Sequence, residues 1–300
     1  MWFRNLRLYR LSPDWDMDTK RLGGLLSKHP LTRCGSLDMH SRGWVYPKQD
    51  GDFVHSFDGQ WLLALGVEQK LLPATVIRQV TQERALQIEA EQQRKIGRKE
   101  LRDLRDRVTD ELLPKAFSRR LTTWGWLDVT HGWLVVDAGS DAKADEFLDV
   151  LLRSVGEMPL RTLQTQLSPT SAMTEWLAAG TAPATFTIDQ DLELRSAAAG
   201  QSTIRYARHS LDGSEIRQHI AGGKVATKLG MTWNDRISFV LSDSLQVKRL
   251  AFLDSLKDEA EQTSQDADEQ FDADFALMTG ELARLLEDLL LALGGETKPT

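Results

Sequence analysis

A strongly charged segment between two prolines is the feature that most constrains the fold of this 300-residue chain. Pro73 precedes the segment and suits a first helical turn, and Pro114 ends it. Apolar residues recur every three to four positions across 74–113, and Gly97 interrupts the pattern. We therefore predict two antiparallel helices. The segment has no long heptad array, which argues against a coiled coil.

Strand signals on both sides indicate that this helical hairpin projects from a sheet. Asp58-Gly59 lies between two apolar runs and is typical of a type I′ turn, in which both central residues need positive φ. The run that follows, 60–72, contains Leu62, Leu63, Ala64 and Leu65, so we predict a strand buried on both faces. Further strands are predicted at 2–12, 53–57, 120–129, 132–137, 184–194, 202–209, 223–232, 236–242 and 246–253.

Helices flank these strands. We predict them at 18–29, at 142–155, from about 171, at 212–221 and at 271–293. The segment that contains Pro30 and Pro47 is predicted to be a polar loop, and 255–269 to be a helix end with a flexible linker. The predicted fold class is therefore α+β, with mostly antiparallel sheets, the projecting charged hairpin and a C-terminal amphipathic helix.

The same pattern predicts three structural units. Residues 1–73 and 118–170 form an N-terminal and central α+β domain, and 74–117 form a helical tip. Residues 171–300 form a C-terminal α+β domain that ends in an acidic helix.

Charge is distributed unevenly along the chain. The formal net charge of −7, taken alone, argues against a nucleic-acid partner. However, 254–296 contain thirteen acidic residues and two basic ones, whereas 1–253 contain 34 basic and 31 acidic. Basic residues exceed acidic ones by five in 1–48 and by four in 78–120. Either these charges form ordinary solvated helix faces, or they form a surface that binds a polyanion.

The sequence shows no catalytic constellation. The P-loop, dinucleotide-binding and nucleophile-elbow motifs are absent. Ser36, Asp38 and His40 are too close in sequence to form a triad, and Cys34, the single cysteine, has no activating neighbour. We therefore predict no enzyme activity, no cofactor and no metal site. With no signal peptide and no long apolar run, we expect a cytoplasmic protein without a membrane partner.

Basic residues are concentrated at 94–102, where five positive charges occur in nine residues. Such charges bind phosphates without reading bases, so the predicted binding tolerates any sequence and weakens with salt. The predicted DNA contacts are Arg94, Lys95, Arg98, Lys99, Lys115 and Arg119. Trp124 and Trp126 share one face of a predicted strand, and we expect them to pack in the core rather than stack on bases.

Several sequence blocks carry a resemblance over essentially the full length of the chain. They are WFRNL at 2–6, CGSLDM at 34–39, GWV at 43–45, EAEQQRK at 89–95, LLPKAFSR at 112–119, KVATKL at 224–229 and FDADFALMTGEL at 271–282. Together they resemble the bacterial RdgC family of recombination-associated proteins. The resemblance implies a non-enzymatic protein of the nucleoid that binds single- and double-stranded DNA largely without sequence preference. It also implies a homodimer closed into a ring around DNA, which limits access by RecA-type recombinase filaments and so modulates recombination and replication.

The resemblance also assigns roles to particular residues. It implies one dimer contact through Phe117, with Arg94 and Lys115 as candidate DNA contacts, and a second dimer contact at Arg208 and His209, where relatives can carry Lys-Gln. Two alternatives remain open. One is a metal-dependent DNA nuclease that uses the C-terminal aspartates, among them Asp272. The other is a protein-interaction scaffold.

Overall fold

The computed structural model describes residues 1–49, 51–196, 202–211, 213–254, 256 and 266–297. The strands are β1 Leu6–Leu11, β2 His40–Val45, β3 His55–Phe57, β4 Gln60–Lys70, β5 Ser118–Asp128, β6 Trp133–Asp137, β7 Leu160–Thr162, β8 Phe186–Ser196, β9 Thr203–Tyr206, β10 Lys224–Trp233, β11 Ile237–Ser242 and β12 Val247–Phe252. The helices are α1 Thr19–Leu26, α2 Ala74–Gln92, α3 Arg98–Leu112, α4 Asp141–Val155, α5 Pro169–Ala179, α6 Ser214–Ala221 and α7 Ala267–Ala292. Among these described helices, none is long and apolar enough to cross a membrane.

The strands form one antiparallel sheet. Its order is β2-β4-β5-β6-β1-β12-β11-β10-β8-β9, with β3 paired to β4 and β7 paired to β1. The N-terminal and C-terminal halves join where β1 meets β12, and Leu6 pairs there with Val247. The predicted α+β class with mostly antiparallel strands is therefore confirmed. The sheet continues across the predicted boundary at 170/171, and the division into domains stays a prediction.

The tight turn that the sequence indicates at Asp58-Gly59 forms as predicted, and a second turn with the same backbone forms at Asn234-Asp235. Asp58 and Gly59 both have positive φ, 48° and 76°, between β3 and β4. Asn234 and Asp235 do the same between β10 and β11, with φ of 47° and 52°. This backbone matches the twist of the flanking strands, so each turn sets the register of its hairpin.

Two short strands were not predicted. β2 lies within the segment expected to be a polar loop, and β7 was missed as well. The polar composition of β2 gives no strand signal in the sequence. In the structure, however, Trp44 is buried, and its backbone N–H donates to the carbonyl of His29 at 2.9 Å. Gly43 is needed beside it, because a Cβ at this position would lie 2.4 Å from the carbonyl of Pro30. The prediction of a loop there is therefore wrong.

Two other predicted bounds are corrected. The strand expected at 202–209 ends at Tyr206, because the chain turns away at Arg208, whose φ is 53°. The linker expected at 255–269 lies outside the described residues, apart from 256 and 266–269. Of these, 267–269 form the first turn of α7, and the Asp266 carboxylate caps that helix by accepting from the N–H groups of Asp268 and Glu269.

The hydrophobic core lies on both faces of the sheet. Leu62 packs in one cluster with α5, α6 and α7, whereas Leu63 and Leu65 pack in another with α1 and α4. The prediction that β4 is buried on both faces is therefore confirmed. In the second cluster, Phe147 of α4 lies so close to β5 that a Cβ on Gly125 would be 2.2 Å from its ring.

Candidate nucleic-acid interface

Helices α2 and α3 pack on each other as the antiparallel hairpin that the prolines and Gly97 predict. Ile77 near the start of α2 lies in one small cluster with Leu104 and Val108 of α3. Gln93 ends α2 in the left-handed conformation, with φ of 50°, and so starts the turn. Projection of the hairpin from the sheet stays a prediction.

Four of the predicted DNA contacts meet at this turn. We call Arg94, Lys95, Arg98 and Lys99 the turn patch, and all four are exposed. Arg94 donates two hydrogen bonds of 2.8 Å to Glu100, and this contact holds the pKa of Glu100 below its usual range. The other three cations make no ion pair with any residue that the structure describes, so their donors face solvent.

The remaining predicted contacts lie at the opposite end of the hairpin. Lys115 and Arg119 stand at the base of α3, whose fifteen residues span about 22 Å at 1.5 Å per residue. Lys115 Nζ lies 3.4 Å from Glu111, and Arg119 donates to Gln69 across β4 and β5 at 3.3 Å. The six predicted contacts therefore form two separate groups.

Arg120 belongs to the group at the base, although it was not among the predicted contacts. Its Nε donates to Glu68 at 2.9 Å, and its side chain is 62% exposed. The hydrogen bond from Arg120, with a second from the Cys34 N–H, lowers the pKa of Glu68. The signal was visible in the sequence, because Arg120 directly follows Arg119. We call Lys115, Arg119 and Arg120 the base patch.

Phe117 is exposed, as predicted, with 84% of its surface open. It lies at the base of the hairpin, where its carbonyl accepts from the Leu71 N–H at 2.7 Å. The predicted unit 74–117 places Phe117 at the end of the hairpin, and its assignment to the helical tip stays a prediction. A helical hairpin returns its C-terminal end to the sheet that it left. Phe117 therefore lies beside the base patch and far from the turn patch.

Arg208 and His209, the other predicted dimer contacts, follow β9 at the far edge of the sheet. Both are exposed, and their backbone N–H groups are anchored to β8, on Asp191 at 3.3 Å and on Gln190 at 3.3 Å. Six inter-strand steps separate β8 from β5, or about 29 Å along a flat sheet at 4.8 Å per step. The two predicted dimer contacts therefore lie in different halves of the molecule.

The two tryptophans of β5 pack in the core, as expected. Trp126 is fully buried, and its indole N–H donates to Gln60 at 2.7 Å. Trp124 is half-buried and packs against the same cluster. Neither ring is presented as a platform for a base.

The acidic residues of α7 make contacts within the chain. Asp272 accepts from Lys48 Nζ at 3.0 Å and lies 3.1 Å from His55 Nε2, and Asp274 pairs with the N-terminal amine. Glu281 is buried and pairs with Arg236 and Arg284. Within the described residues, no three His, Cys, Asp or Glu side chains form a group that could hold a metal ion. These acids therefore help to dock α7.

Comparison with known proteins identifies the family. The family model described as "Putative exonuclease, RdgC" matches residues 1–296. A protein of Janthinobacterium sp. (strain Marseille) named Recombination-associated protein RdgC is 52% identical over 298 residues, which cover 99% of each chain. The protein of that name in Dechloromonas aromatica (strain RCB) is 53% identical over 299 residues, covering 99% of this chain and 98% of the relative. The chain therefore belongs to the RdgC family of recombination-associated proteins.

Proposed function

We propose that this protein binds DNA without sequence preference, as a homodimer closed into a ring around single or double strands. It thereby limits the access of recombinase filaments to DNA and modulates recombination and replication in the nucleoid. The observation that carries this proposal is the turn patch, in which three exposed cations face solvent without an acidic partner among the described residues. The name shared by its relatives, recombination-associated protein, supports DNA as the polyanion.

The positions of the predicted dimer contacts support a ring. Phe117 and the Arg208–His209 pair are exposed and belong to different halves of the sheet. A two-fold dimer with one self-complementary contact leaves an open arc, whereas two separate contacts close it. Phe117 is a large apolar side chain with 84% of its surface open, the kind of residue that fills a pocket on a partner.

The central test measures affinity for several unrelated duplexes and single strands over a salt series, together with the mass of the protein in solution. We expect dimer mass, similar affinity for unrelated sequences, and a linear fall of log K with log salt. Affinity that depends on one sequence, or that ignores salt, overturns the proposal.

A matched pair of variants tests the turn patch. Lys95→Gln/Lys99→Gln removes two charges from the turn, and Lys20→Gln/Lys28→Gln removes two exposed charges from the region of α1. We expect the first variant to bind DNA about tenfold more weakly or worse, with a less steep salt dependence, and the second to bind almost as the parent does. Equal losses in both variants contradict a role for the turn patch.

The description of the matching family model favours a second candidate, an exonuclease. The test incubates end-labelled DNA with the protein and Mg²⁺ or Mn²⁺. Reproducible release of nucleotides, lost in Asp272→Ala but kept in the exposed control Asp14→Ala, supports the nuclease. Because Asp272 also pairs with Lys48, circular dichroism must show that the variant is folded. Recombinase binding by a protein without DNA affinity supports a scaffold instead.

A further inference from the structure

The C-terminal half of the sheet carries an open polar groove. Along β10, Leu229 and Met231 point into the core, so Lys228 and Gly230 lie on the opposite face. The groove on that face has a volume of about 470 Å³. Its charged lining consists of Arg205, Lys228, Lys248 and Arg249, against the carboxylates of Asp191 and Glu193. Four cations therefore face two anions.

Two β-bulges shape the groove. Ser238 pairs with Ala251 and Val240 with Lys248, so β12 has one residue more than β11 at this point, and Arg249 has a φ of 53°. On the other side, β8 has two residues more than β10 opposite Gly230. Bulges re-aim side chains and are frequent at functional sites. Here they direct Arg249 toward Asp191, and the two groups lie 3.2 Å apart.

Gly230 lies beside the groove, between the two bulges. A Cβ at this position would lie 3.2 Å from the Cβ and the carbonyl oxygen of Asp191, tighter than ordinary contact. The glycine therefore lets the bulged segment of β8 lie close over β10. Gly230 pairs with Val240, which in turn pairs with Lys248, so one row of residues leads from Gly230 into the groove.

Glu193 organises the cations at the other end of the groove. Its carboxylate is buried and accepts from Lys228 Nζ at 2.9 Å, from Arg205 Nε at 2.8 Å and from Thr227 Oγ1 at 3.0 Å. Arg195 is a third cation, 3.4 Å away. One carboxylate thus orients three cations. Arg205 is 73% exposed, so it keeps free donors for a ligand.

We propose that this groove binds the phosphodiester backbone of DNA, as a second contact surface besides the hairpin. The proposal rests on the DNA-binding function proposed above. The cations reach from β9 to β12, four inter-strand steps or about 19 Å at 4.8 Å per step. Cations supplied by several strands suit a ligand that offers several phosphates, and one strand of nucleic acid places a phosphate every 3.4 Å along the duplex axis.

The groove also adjoins the second predicted dimer contact. Asp191 accepts both from Arg249 Nη1 and from the Arg208 N–H, so a single carboxylate connects the two features. DNA in the groove would therefore run past Arg208 and His209. We therefore expect substitutions of the groove cations to alter DNA binding, while Arg208 and His209 remain available for the dimer contact.

The test uses the full-length double variant Lys248→Gln/Arg249→Gln. Neither residue is bonded to Glu193, and the Arg249 side chain is 77% exposed, so we expect the variant to fold. Lys20→Gln/Lys28→Gln removes the same charge elsewhere and serves as the control. Affinity for a 30-base-pair duplex of arbitrary sequence is measured between 50 and 200 mM salt.

The expected result is a loss of about tenfold in affinity, with a salt slope less steep by about 1.8, or 0.9 for each lost phosphate contact. If the parent binds DNA and the double variant matches the control, the groove inference is wrong and the proposed function stands. If the parent binds no DNA, the proposed function fails. A poly-glutamate peptide that binds through Lys248 and Arg249, while duplex binding ignores both, overturns the inference in favour of an acidic protein partner.

Discussion

Arg94 and Glu100 form a bidentate pair across the turn of the helical hairpin, with two hydrogen bonds of 2.8 Å. A guanidinium fork fits a phosphate in the same way as it fits a carboxylate. Glu100 therefore competes with DNA phosphates for Arg94, one of the predicted DNA contacts. The other three members of the turn patch have no such competitor among the described residues.

Glu100→Gln should raise DNA affinity, because it frees Arg94 and removes a negative charge beside the turn patch. We expect a gain of about two- to fivefold at low salt that shrinks as salt is added, since exposed charges are screened. Fluorescence anisotropy with a labelled duplex measures the change. Glu91→Gln removes a neighbouring charge without freeing an arginine, and an equal gain in both variants would show that the pairing has no effect.

Phe117→Ala should leave folding almost unchanged, within about 0.5 kcal/mol, because the side chain is largely exposed. We expect weaker self-association in analytical ultracentrifugation and faster dissociation of DNA, with little change in the rate of association. Phe57→Ala, a substitution of another exposed phenylalanine, is the control. Unchanged dimer mass together with unchanged DNA dissociation would contradict a dimer role for Phe117.

Glu193 should make the protein more stable at neutral than at acidic pH. Burial alone would raise the pKa of its carboxyl, but hydrogen bonds from Lys228, Thr227 and Arg205 outweigh burial and lower it from 4.5 to about 2. Because the pKa is lower in the folded state, this stability is present above pH 4.5 and is lost as the pH falls toward 2. This fall in pKa corresponds to stability on the order of 3 kcal/mol.

Denaturant unfolding of the parent and of Glu193→Gln at pH 7, 5 and 3 measures this effect. We expect a lower free energy of unfolding for the variant at pH 7, and a difference that narrows at pH 3. Glu175→Gln, an exposed substitution on α5, should behave as the parent at all three values. A difference that stays constant with pH would refute the assignment to Glu193.

Gly125→Ala should destabilise the fold by about 1–3 kcal/mol, because the new methyl group would overlap the ring of Phe147. Adding Phe147→Leu makes room, so the double variant should be more stable than the sum of the single effects predicts, by about 1 kcal/mol. Gly280→Ala on α7 is the control, since its Cβ meets nothing within 4 Å. Thermal melts of Gly125→Ala, Phe147→Leu, the double variant and the control measure these changes in stability. Additive effects of the Gly125 and Phe147 substitutions would contradict the overlap.

The sequence by itself determined the local features of this protein. Asp58-Gly59 and Asn234-Asp235 form their turns because few residues tolerate positive φ, and this preference belongs to the residues themselves. Pro73 and Pro114 bound the helical hairpin for a similar local reason, and the apolar run of β4 is buried wherever the strand lies. The family was also visible in the sequence, because its blocks are spread over the whole chain.

Only the tertiary structure decided which distant residues meet. Sheet order depends on pairings such as Leu6 with Val247, which join segments far apart in sequence and leave no local signal. The same applies to the turn and base patches. Their residues are close in the sequence, but they lie at opposite ends of α3. The groove arises from bulges, which exist only relative to a neighbouring strand. Local chemistry is therefore readable from the sequence, whereas the sites it forms depend on long-range strand pairing.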